Sequence, residues 1–191
     1  MSQAAGPEVT GQEGRTAAPV MPRTADGTLI TDVRRVVVGV DDNEAGLAAL
    51  AAATQLARAH AAPLVAVRAW ELGLPRHGGR RMRHLRHPHI VLSFSGCEQS
   101  VQASMLAGRA FRAAVGAIPS DIPVIIETPD DDPALALTAM AARPGDVLVV
   151  GDGPGHYLRR LAHGSVSRFC ERHAHCPVLV VRTRAGLADS G

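Results

Sequence analysis

Lysine is missing from this chain: all 20 of its basic residues are arginine. That reads as compositional bias and assigns no function. Aromatic residues make up only 3% of the 191 positions, so a core must be assembled from Ala, Val, Leu and Ile. Cysteine is scarce and odd in number (Cys97, Cys170 and Cys176), which excludes a paired disulfide framework and points to free thiols in a reducing compartment. Cys170 and Cys176 bracket His173 and His175, leaving a zinc site as the minor alternative. No run approaches the roughly 20 apolar residues of a membrane span. The N-terminus lacks the charged-then-apolar pattern of a secretory signal, so the cytoplasm is the expected location. A net charge of +2 leaves little of the excess that a general nucleic-acid binder carries. A hydrophobic content of 46% excludes a wholly disordered chain.

Order is expected to begin near residue 34. Residues 1–33 are rich in Gly, Pro, Thr and Ala without periodicity and read as a disordered arm. Val36, Val37 and Val38 form a β-branched run that suits a strand covered on both faces. Asp41, Asp42 and Asn43 then supply turn and cap residues ahead of an alanine-rich helix. The second strand is read over 64–70. Residues 71–95 carry Gly, Pro and dense Arg and His, and read as a long exposed connection. A helix over about 98–117, a strand over 122–128, a helix from 134 and a strand over 146–151 follow. Asp132 is the expected N-cap and Pro133 the first helical position of that third helix. A last helix over 165–173 and a strand over 177–182 complete the domain, with a flexible tail over 185–191. This alternation predicts an α/β fold, a five-stranded mostly parallel open sheet with helices on both faces. Ligands on such sheets sit beyond the carboxyl ends of the strands, where strand order switches.

The loops after Val40, Trp70, Thr128 and Val150 are therefore the ones to inspect. Gly151, Gly153 and Gly155 follow a strand, and Gly164-Ser165 opens a helix whose first amides lack intrahelical partners. Together they form one anion site in two pieces, or else a plain loop and an ordinary serine cap. Asp41, at the end of the first strand, either holds ribose hydroxyls or caps the helix behind it.

The segments "VVVGVDDNEAGLAALAAATQLA", "PLVAVRAW" and "DVLVVGDGPGHYLRRLAHGSVSRFCERHAHCPVLVVR" resemble the universal stress protein domain across about residues 34–184. The resemblance implies a Rossmann-like fold of the adenine nucleotide alpha hydrolase type. It implies a stress or signalling module that binds ATP, with Mg2+ accompanying it, and has little or no turnover. Family members of the nucleotide-binding kind carry Gly, two residues, Gly, nine residues, then Gly and Ser or Thr. Gly151, Gly164 and Ser165 match those places, and Pro154 stands at the second glycine. Proline has no N–H to donate, and Gly153 and Gly155 flank it. By this resemblance Val40 and Asp41 would contact adenosine, and Ala69 would offer backbone groups to adenine. Val150 and Gly151 would lie along ribose and phosphate. Gly164, Ser165, Val166 and Ser167 would hold phosphates. A homodimer formed through the last strand is also implied, with a protein partner that stays unidentified.

Other clusters carry less. Arg76, His77, Arg80, Arg81, Arg83, His84, Arg86, His87 and His89 read as a solvated loop. The alternative makes the chain a nucleotide-independent interaction protein that acts through this basic segment. Asp130, Asp131 and Asp132 read as a turn and cap ahead of a Mg2+ site. His163 beside Ser165 lacks an orienting acid, which disfavours a serine hydrolase.

Overall fold

A computed structural model describes residues 32–70, 89–153 and 166–183, with the side chains of all of these except 89–95. Five strands, β1 (Arg35–Gly39), β2 (Leu64–Val67), β3 (Val124–Glu127), β4 (Asp146–Asp152) and β5 (Val178–Arg182), form one sheet in the order β3-β2-β1-β4-β5. Every pairing is parallel. Four helices connect them: α1 (Glu44–Ala59), α2 (His89–Val115), α3 (Pro133–Met140) and α4 (Val166–His173). The readings of the N-terminal arm, the C-terminal tail and the basic cluster over 76–88 lie outside the described residues.

The valine run explains the position of β1. Val36 and Val38 face a cluster built with α1 and α2, and Val37 faces a second cluster under α3 and α4. All three are fully buried, as a central strand of a two-faced sheet requires. Alanines at 49, 53 and 57 turn a small-residue face of α1 to the sheet, so the helix lies close over β1 and β4. Phe111 of α2 is the bulkiest fully buried side chain and fills what those alanines leave open.

Several bounds differ from expectation, each for a visible reason. β2 ends at Val67, although its line continues to Trp70, which forms an isolated bridge to Asp130 and donates its indole N–H to the Thr128 carbonyl at 2.8 Å. α2 begins at His89, so residues 89–95, read as part of the connection, belong to the helix. Gly96, which looks like a breaker, sits inside that helix beside the Trp70 ring; a Cβ there would lie 3.6 Å from it. α3 stops at Met140, where the Asp146 carboxylate takes the Arg143 amide at 2.8 Å and Gly145 adopts a φ of +82°.

The start of α3 matches its expected chemistry. Asp132 accepts from the amides of Ala134 (2.8 Å) and Leu135 (3.2 Å), with Pro133 in the first turn. Such a cap is worth about 1 kcal/mol. At the amino ends of the strands, Arg35 of β1 meets Asp146 of β4. Its Nε and Nη2 donate to the two carboxylate oxygens at 2.9 and 2.7 Å, and Nη2 also donates to the Met140 carbonyl at 2.8 Å. The Asp146 side chain is 1% exposed, so this pair is an interior fastening and not a surface contact. No described helix is long and apolar enough to cross a membrane.

Candidate functional site

The chain leaves β1 for β2 and β3 on one side, then returns to place β4 on the other. The switch in strand order therefore falls between β1 and β4, and a cleft opens there beyond the carboxyl ends of the strands. Val40 and Asp41 enter it from the end of β1, Ala69 from beyond β2, Val150 and Gly151 from β4, and Val166 from the start of α4. Six of the nine residues chosen from sequence thus converge on one place. Gly164 and Ser165, the second half of the expected anion site, lie outside the described residues, as does Pro154.

Asn43, and not Asp41, caps α1: its side-chain oxygen accepts the Gly46 amide at 2.7 Å. That releases Asp41 to the cleft, where its carboxylate accepts from the Asp42 amide and from the Asn43 side-chain amide, both at 2.8 Å. Two oxygens offer about four acceptor sites, so capacity remains for hydroxyl donors. Burial pushes the Asp41 carboxyl above its ordinary value, and the neighbouring Asp42 adds to this. The Asp42 amide and the buried Arg68 guanidinium pull the other way. Arg68 also reaches the Val40 carbonyl, at 3.5 Å.

Gly151 has a packing role that its motif does not announce. A Cβ there would lie 2.5 Å from the Ala45 carbonyl oxygen, and one at Gly153 would lie 2.7 Å from the Ala45 Cβ. Real side chains do not approach so closely. These glycines let the end of β4 press against the first turn of α1, which brings the two walls of the cleft together.

Ser167 is placed differently from expectation. It is 2% exposed, and its hydroxyl donates to one Asp152 oxygen at 3.0 Å. The other Asp152 oxygen accepts Arg182 Nε at 3.0 Å, across the β4–β5 pairing. The Arg182 guanidinium holds the Asp152 carboxyl below its ordinary value, with help from Ser167. The Asp152–Arg182 ion pair thus ties the end of β4 to β5, and the Ser167 hydroxyl joins it from the first turn of α4.

Some lining residues escaped the sequence reading. Val67 shares a strand face with Ala69 by the two-residue period, which was a usable signal. Pro133 and Leu137 reach the cleft from α3, nearly a hundred residues from β1; the loop after Thr128 that leads into α3 was marked by topology, but no motif singled out these two residues. Asp131 and Asp132 serve the turn and cap, since Asp131 accepts the Asp132 amide at 2.8 Å. Cys170 is fully buried, and burial pushes its thiol up to about 12, so it stays protonated and unreactive at neutral pH. No group of three or more potential metal ligands occurs among the described residues.

The model of the universal stress protein family matches residues 32–182. No curated sequence matches. Universal stress protein UspA from Lactobacillus plantarum is 22% identical with a TM-score of 0.58, over 80% of this chain and 99% of that one. A universal stress protein solved in complex with cAMP is 24% identical with a TM-score of 0.47, over 80% and 99% of the two chains. The universal stress protein from Archaeoglobus fulgidus solved with dAMP is 17% identical with a TM-score of 0.40, over 79% and 99%.

Proposed function

Since the chain belongs to the universal stress protein family, we propose that it is a cytoplasmic adenine-nucleotide-binding stress or signalling module with little or no catalytic turnover. ATP, accompanied by Mg2+, is the form that the glycine motif implies. The convergence of Val40, Asp41, Ala69, Val150, Gly151 and Val166 on one cleft carries this reading. Val40, Val67, Ala69 and Leu137 give apolar walls suited to a purine face, and Asp41 offers acceptors to ribose hydroxyls. Gly164 and Ser165 are proposed to complete the phosphate end.

The test begins with the purified full-length chain. Nucleotide released on denaturation, together with a rise in melting temperature on adding Mg-ATP, is the expected result. Asp41→Ala is expected to weaken that binding about tenfold or more, on the scale of losing hydrogen bonds to a charged group. Absence of both released nucleotide and thermal shift overturns the reading.

Self-association through β5 belongs to the same proposal. Among the described residues β5 pairs on one side only, and its four apolar residues are half-buried. An open edge of this kind is a template for strand pairing. Sedimentation at micromolar concentration is expected to give a dimer; a monomer removes this part.

A further inference from the structure

We infer that Arg68 is a positioning residue of the cleft: its guanidinium takes the place of a rung missing between β1 and β2 at Val40, and it supplies the counter-charge of the neighbouring Asp41 carboxylate. This rests on the adenine-nucleotide reading above and deepens it, since Asp41 is the group proposed to receive the ribose.

β1 and β2 pair in parallel up to Gly39 and Val67, and the Val40 amide still donates to the Val67 carbonyl at 2.9 Å. The next rung of a parallel ladder would run from the Ala69 amide to the Val40 carbonyl. Among the described residues no such backbone bond forms. Beyond Val67 the chain keeps to its other neighbour instead: the Arg68 and Trp70 amides donate to the carbonyls of Glu127 and Pro129 at 2.9 and 3.0 Å. The lines of β1 and β2 therefore part at Val40 and Ala69, two residues that line the cleft. Arg68 Nη1 reaches the Val40 carbonyl at 3.5 Å, so the side chain bridges the gap that the backbone leaves.

Arg68 is 6% exposed. Among the described residues the Val40 carbonyl is the one hydrogen-bond partner of its guanidinium. A buried charge so lightly paired is costly, and an apolar side chain of similar length would fill the space without that cost. Packing therefore does not account for the arginine, whereas the charge of Asp41 does. Burial above all, and the adjoining Asp42, hold the Asp41 carboxyl above its ordinary value, and Arg68 draws it back toward the charged form. Gly46 of α1, Leu137 of α3, Val150 of β4 and Val166 of α4 bring no charge to the cleft. Among the described residues, Asp42 and Arg68 are thus the charged groups that act on Asp41. An ionised carboxylate accepts hydroxyl donors more strongly than a protonated one, so the cation behind Asp41 strengthens its hold on a ribose.

The experiment follows two readouts on the full-length chain from about pH 4.5 to 8, the range over which a raised carboxyl titrates. One is the Asp41 carboxyl carbon by NMR without ligand; the other is the affinity for adenosine, which has no phosphate to titrate, by calorimetry. Arg68→Met is expected to move the Asp41 titration to higher pH. It is also expected to weaken adenosine binding about three- to tenfold, on the scale of one hydrogen bond. That deficit grows as the pH falls, because the protonated carboxyl loses acceptor capacity. Arg68→Lys keeps the charge and is expected to restore the titration. In an Asp41→Asn background, Arg68→Met is expected to leave the pH dependence unchanged. If Arg68→Met does not fold, Arg68→Gln, which keeps a donor and loses the charge, is read in its place. An Asp41 titration unmoved in the folded neutral variant, or an adenosine affinity that falls equally at every pH, overturns the inference while the cleft reading stands. Failure of both adenosine and Mg-ATP to bind wild type overturns the cleft reading, and the ligand-free titration still decides whether Arg68 serves Asp41.

Discussion

Asp146→Ala is expected to lower the unfolding free energy by about 3–5 kcal/mol, the cost of leaving a buried charge without its partner. Arg35 would keep its guanidinium inside the sheet edge with only the Met140 carbonyl to receive it. An arginine guanidinium keeps its proton at any ordinary pH, so the charge cannot be relieved by deprotonation. The substitution removes the acceptor of the Arg143 amide as well, loosening the turn that ends α3. Urea denaturation monitored by circular dichroism measures the loss. Replacing both partners together, Arg35→Met with Asp146→Leu, is expected to recover much of it, because no unpaired charge then remains. A single variant within about 1 kcal/mol of wild type would show the pair to be solvated in solution. The pair lies at the amino ends of β1 and β4, away from the cleft. Whatever fraction folds should therefore bind ligand normally.

Gly151→Val is expected to do the opposite and damage both stability and binding. The new Cβ would press on the Ala45 carbonyl oxygen, a backbone atom that cannot swing aside. Relief requires β4 and α1 to move apart, at about 1–3 kcal/mol for overpacking. The same movement shifts Asp41 and Gly46 relative to Val150, so the cleft changes shape where its walls meet. The expected outcome is a lower urea midpoint together with loss of the nucleotide-dependent thermal shift. Asp41→Ala serves as the comparison, since it removes acceptors without introducing a clash. An unchanged urea midpoint for Gly151→Val would mean that β4 does not press on α1 as described.

The order of elements was legible because it is written locally. The valine run of β1, the Asp132-Pro133 start of α3 and the apolar run "DVLVV" each satisfy one period or one cap rule. The cleft was legible in part because strand ends converge by a topological rule that needs no side-chain detail. What stayed hidden depends on distance in the chain. Asp41, Asp42 and Asn43 are all competent caps, and only the placement of Gly46 against Asp41 decides among them. Gly151 was read for closeness to a phosphate, whereas its bare Cα faces Ala45, over a hundred residues earlier. The Ser167–Asp152–Arg182 chain of hydrogen bonds requires the exact parallel register of β4 and β5, which no local pattern supplies. The early start of α2 was missed because Gly96 imitates a breaker when its neighbour Trp70 is out of view.

The return of the chain from β3 to β4 has a consequence for how a bound molecule would be felt. One rim of the cleft belongs to the first strand–helix unit and the other to β4 and α4, which join it only after the long excursion through α2 and α3. Contacts between such remote segments form late and break together, because loop closure must precede them. A molecule gripping both rims is therefore linked to opening of the whole domain and not to fraying at one edge. Its free concentration relative to its dissociation constant sets how much longer the entire chain stays closed. In that sense occupancy is recorded as lifetime, across the full length of the sheet.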